Sequence, residues 1–103
     1  MVQIAMITVP DESVAKNIAR TLVEERLAAC VNIIGGVTSV FRWQGNILEE
    51  TELLLLAKTT RIKFADLQRR VIQLHPYDVP EIVSLDVPSG YDHYLAWVKN
   101  SVN

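Results

Sequence analysis

Between Val2 and Val9 apolar residues follow one another with almost no polar alternation, the pattern of a strand buried on both faces. Pro10 and Asp11 interrupt the run, and Asp11 is a favoured N-cap ahead of the helix-favouring Glu12. Val14, Ala15, Ile18, Ala19, Leu22, Val23 and Leu27 then recur at helical spacing, with Lys16, Arg20 and Glu24 facing away. That predicts a helix to about Arg26. Ala28 to Trp43 predicts a second strand, with a bulge or bend at Gly35-Gly36. Gln44-Gly45-Asn46 predicts a turn, and Ile47 to Thr60 a long third strand.

Phe64, Leu67, Val71 and Leu74 form one apolar stripe, which predicts a second helix over Arg61 to Leu74. Pro76 disfavours helical geometry at His75, so the helix must stop near Leu74. Ile82 to Val87 predicts a fourth strand, Pro88-Ser89-Gly90 a turn, and Tyr91 to about Ser101 a short last helix. The order β-α-β-β-α-β plus a C-terminal helix is an α+β pattern. Right-handed crossovers and a central hairpin make it the ferredoxin-like split β-α-β sandwich, one domain over residues 1–103.

In that arrangement both main helices cover one face of the sheet. The strands nevertheless carry large aliphatic residues at both parities: Ile4 and Met6 against Ala5 and Ile7, and Leu54 and Leu56 against Leu53 and Leu55. Each large aliphatic side chain left in water forgoes about 1.5–3 kcal/mol of burial. One short C-terminal helix cannot cover such a face, so self-association is expected through Leu54 and Leu56. The far ends of the second and third strands, at Phe41, Trp43 and Ile47, are expected to reach a neighbour's sheet edge.

Of 103 residues, 50% are apolar, yet the uninterrupted run Leu53 to Ala57 falls far short of the ~20 residues that span a membrane. No basic leader with an apolar segment opens the chain, so no secretory signal is expected. The lone Cys30 forms no intrachain disulfide and fits a reducing, cytoplasmic setting. A net charge of −2 with interspersed signs offers a phosphate backbone little, which disfavours nucleic-acid partners.

Reactive polar groups gather on one stiff strap, His75-Pro76-Tyr77-Asp78-Val79-Pro80-Glu81. His75 is the candidate metal ligand, with Asp78, Glu81 or another protomer completing the shell. Its alternative role is to cap the second helix by donating to terminal carbonyls. Cys30 reads as a small buried thiol, His93 as solvated, and Glu49, Glu50 and Glu52 as a solvated or edge-protecting charge run. Tyr91, Tyr94 and Trp97 read as a packing stripe. The turn Thr8-Val9-Pro10-Asp11 has no glycine-rich phosphate cradle. No set of residues is assigned to catalysis.

Several stretches resemble the CutA family, small trimeric proteins named for divalent-cation tolerance. They are Thr8–Glu12, Glu25–Ile34, Gly36–Phe41, Trp43–Ile47, Leu54–Thr60, His75–Ile82, Gly90-Tyr91 and Tyr94–Trp97, in order over nearly the whole chain. The resemblance implies a ferredoxin-like protomer, a compact homotrimer with sheets packed face to face, and a bacterial cytosol. It implies divalent-ion tolerance with weak binding of a divalent cation, copper being a candidate; no cofactor is required and no catalysis is expected. Gly35 stands where the family usually has proline. Ile7 and Leu74 stand where some bacterial members carry a cysteine and a further histidine proposed as copper ligands, leaving His75 alone of that set. The alternative is a signalling trimer that senses small molecules in crevices between protomers. An acylphosphatase-type enzyme would need an arginine in the loop where Pro10, Asp11 and Glu12 stand.

Overall fold

The computed structural model describes residues 1–103, in the order β1 (Val2–Val9), α1 (Glu12–Glu24), β2 (Cys30–Trp43), β3 (Asn46–Thr60), α2 (Phe64–Leu74), β4 (Ile82–Asp86) and α3 (Asp92–Ser101). The four strands form one antiparallel sheet in the order β2-β3-β1-β4, with the first strand inside it. This is the ferredoxin-like α+β arrangement expected from the element order.

Local chemistry sets the element ends. Asp11 caps α1 by accepting the Val14 N–H at 2.9 Å. The helix stops at Glu24, short of Arg26, because Arg26 turns into the left-handed region at φ 58°. There the N–H groups of Leu27 and Ala28 both fold back onto the Leu22 carbonyl. The second strand consequently starts at Cys30 rather than Ala28. Helix α2 starts at Phe64, later than Arg61, because the Arg61 N–H still serves the sheet, donating to the Met1 carbonyl at 2.9 Å.

Two glycines shape the long hairpin. Gly36, at φ 73°, lies where the β2–β3 register shifts between Ile34 and Val37, the expected bulge. Gln44 and Gly45 both have positive φ and link Trp43 to Asn46 in a two-residue turn, the geometry that matches strand twist.

The core lies between the sheet and the two main helices. Ala5, Ile7 and Val9 of β1 and Leu55 and Ala57 of β3 pack with Ala15, Ile18 and Leu22 of α1 and Leu67 and Val71 of α2, all fully buried. Helix α3 crosses the opposite face against β1 and β3, where Val2, Val98 and Val102 are buried apart from that core. Beyond the Val9–Leu53 pair, β3 has only β2 as a neighbour, so residues 37–43 and 46–52 project as a two-stranded arm. The chain measures 44 × 25 × 22 Å, and its radius of gyration is 14.0 Å. A compact domain of this length would have one of about 13 Å.

Candidate functional site

The strap leaves α2 at His75, whose backbone is extended (ψ 135°), as the following proline demands. Its N–H closes the last turn of the helix onto the Val71 carbonyl at 2.8 Å. The imidazole does not reach the helix carbonyls. The residue is only 7% exposed, and its ring bridges the end of β1 and the strap. Its Nε2 lies 2.8 Å from the Thr8 carbonyl at the end of β1, and its Nδ1 accepts the Tyr77 N–H at 3.2 Å. Since a carbonyl only accepts and an N–H only donates, these partners place the proton on Nε2 and the lone pair on Nδ1. Removing the ring would leave a buried carbonyl unpartnered, at about 1–3 kcal/mol.

Tyr77 extends the same contact set. Its ring lies 4.7 Å from that of His75, and its hydroxyl donates to Glu52 Oε2 at 2.9 Å. Glu52 sits at the root of the arm, one residue beyond the last pairing with β1, and is 5% exposed. It is therefore not part of a solvated charge run, as Glu49 and Glu50 are. Burial, first, and then the hydrogen bond to Glu52 and the negative charges of Glu52, Glu50 and Asp11 push the Tyr77 phenol up to about 12. Asp78 and Glu81 point to solvent. Within the chain no three His, Cys, Asp or Glu side chains converge as a ligand set.

The open face of the sheet carries a second set of features. Strand pairing aligns Leu56, Met6 and Val83 in one row and Lys58, Ile4 and Leu85 in the next, and Leu54 lies opposite Ile34. Ile4, Met6, Leu54 and Leu56 are half-buried, while Ile34, Val83 and Leu85 are exposed. On the arm, Val40, Phe41, Trp43 and Ile47 are all exposed. The structure thus places Leu54 and Leu56 on one face of the sheet and Phe41, Trp43 and Ile47 on the arm.

Cys30 is half-buried on the open face, directly across from Lys58. The Lys58 ammonium lies 3.9 Å from its sulfur and also donates to Asn32 Oδ1. Tyr94 packs nearby, its phenol pushed up by burial and then by Cys30. His93 is exposed, stacked on Tyr91 at 5.2 Å, and Tyr94 meets Trp97 at 5.6 Å.

Sequence reasoning missed Glu52 and Lys58. Glu52 lies in a run of acidic residues that reads as solvated, and its burial depends on a tyrosine 25 residues away. Lys58 signals nothing until strand register places it opposite Cys30.

Comparison with known proteins agrees over the full fold. A family model described as CutA1 divalent ion tolerance protein matches residues 3–101. A divalent-cation tolerance protein CutA from Thermus thermophilus is 55% identical over 101 residues, covering 98% of each chain. A solved structure of a divalent cation tolerance protein from the same species, Thermus thermophilus, superposes with a TM-score of 0.98 at 54% identity, covering 100% of both chains. The structure described as the periplasmic divalent cation tolerance protein CutA from Archaeoglobus fulgidus gives 0.97 at 36% identity, again with 100% of both chains covered. Against several animal and plant relatives, the chain spans little more than half of their length.

Proposed function

This chain belongs to the CutA1 divalent ion tolerance family, and on that premise we propose that it acts in divalent-ion tolerance as a cytoplasmic homotrimer without catalytic activity. The observation that carries the reading is the second apolar surface. The open sheet face and the projecting arm expose large side chains that the chain's own helices do not cover. Total accessible surface is 6365 Å², whereas a self-sufficient folded monomer of this mass shows about 5,800 Å². A surface of this kind gains from a partner of matching chemistry, and a second copy supplies one.

A ring is supported by the unlikeness of the two apolar surfaces. An arm that meets a neighbour's body makes a head-to-tail contact, which satisfies every copy only when the rotation closes. Three copies is the number carried by the family resemblance. Weak binding of divalent ions, with copper a candidate, is carried by the family resemblance. The strap supports a non-catalytic reading, because the polar atoms of His75 and Tyr77 are bonded to backbone and to Glu52. A single cysteine supports the cytoplasmic setting. No helix is long and apolar enough to cross a membrane.

Sedimentation equilibrium of the full chain tests the assembly. The expected mass is three times the 11.6 kDa of one chain. Replacing Trp43 and Ile47 together by Glu should shift it towards one chain while far-ultraviolet dichroism is kept. A wild-type mass of one chain would contradict the reading.

A further inference from the structure

We infer that His75 is not the divalent-ion ligand of this chain but a latch that fixes the strap to the end of β1 and, through Tyr77, to the root of the arm. The inference rests on the proposed divalent-ion role and specifies where in the fold that role is not exercised.

A histidine ligates through a bare ring nitrogen while the other nitrogen is held by a hydrogen bond. Here one nitrogen is held in that way, but the other has no free lone pair. Nε2 carries its proton to the Thr8 carbonyl at 2.8 Å, and the Nδ1 lone pair takes the Tyr77 N–H at 3.2 Å. His75 is 7% exposed, and no partner set of His, Cys, Asp or Glu gathers with it. The nearest strap carboxylates, on Asp78 and Glu81, face solvent, and the buried Glu52 is bonded to the Tyr77 hydroxyl. Coordination would break a bond at one nitrogen and offer a single imidazole in return.

The same bonds define a positioning role. Thr8 and Leu54 form the penultimate β1–β3 pair, and Glu52 is the first arm residue past the end of β1. With His75 on Thr8 and Tyr77 on Glu52, the strap clamps the point where the three-stranded part of β3 becomes the two-stranded arm. The direction in which the arm leaves the body is set there.

Calorimetric titration with Cu²⁺ and with Zn²⁺, on the wild-type full chain and on His75→Ala, tests the ligand half. Affinity and stoichiometry should stay within threefold, and a larger loss in the variant overturns the inference. A ¹⁵N spectrum of the wild-type imidazole needs no variant. It should show a protonated Nε2 and an unprotonated, hydrogen-bonded Nδ1, both unmoved by a molar equivalent of either ion. Broadening or shift of a His75 nitrogen on adding the ion also overturns it. Wild-type protein that takes up neither ion would remove the ion binding of the proposed function, with the latch still decided by the tautomer. A reversed tautomer rejects the latch.

Discussion

Along the β2–β3 hairpin, Leu53–Thr60 of β3 all pair with β1, and as far as Lys58 they lie between β1 and β2, whereas Asn46–Glu52 pair with β2 alone. In the first stretch Leu55, Ala57 and Thr59 are completely buried, and Thr59 also donates its hydroxyl to the Leu27 carbonyl at 2.7 Å. In the second, and in the part of β2 that faces it, Val40 and Ile47 are each more than 60% exposed. Both stretches belong to one continuous strand. What separates them is a third strand and a layer of helix. A two-stranded ribbon gains little stability in water by itself, so the arm keeps its direction from its root, at Glu52, Tyr77 and His75.

The contrast is tested most strongly by truncation at both ends. Leu55→Ala should destabilise the chain by about 2–5 kcal/mol in urea unfolding, the range for a fully buried leucine. Val40→Ser should cost less than about 0.5 kcal/mol when measured at dilutions that leave the chain monomeric. A similar loss at Val40 under those conditions would show the arm to be part of the core.

Next comes the junction. Tyr77→Phe leaves a buried Glu52 oxygen without its donor and should cost about 1–3 kcal/mol. The tyrosine also gives a pH signature. Its folded pKa, about 12, stands above the ordinary 10.0. Its contribution is therefore complete below pH 10 and lost as pH rises through about 12. Absorbance at 295 nm should show a tyrosine ionisation at about pH 12 in the wild type that is lost in Tyr77→Phe. A Tyr77 that ionises near the ordinary 10.0 would mean that the strap is not bonded to the arm root.

The smallest effect concerns the body alone. Asp11→Ala removes the side-chain acceptor of the Val14 N–H and should cost about 1 kcal/mol. Since α1 packs on the covered face of the sheet, the mass in sedimentation should not change.

The element order and most boundaries could be read from periodicity, because burial on one face of a helix or strand imposes a repeat on the residues. The cap at Asp11, the kink at Gly36 and the stop before Pro76 were readable for a related reason, since each is a local conformational demand. Arg26 was not readable. A left-handed arginine has no sequence signature, and α1 ended at Glu24, short of the Arg26 that the apolar pattern predicts. At the strap, the sequence marked His75 as a group to watch without indicating which atoms it would meet.

What the sequence determined by itself was the α+β sandwich and the presence of more apolar surface than two helices can cover, since both follow from which residue types repeat at which spacing. Only the tertiary structure decided that His75 faces Thr8, that Tyr77 bonds a buried Glu52, and that Lys58 stands beside Cys30. The physical reason is range. A repeat records each residue's own preference for water or interior, while a hydrogen bond across 25 to 67 residues depends on strand register and on the path of a strap, which no single stretch of chain contains.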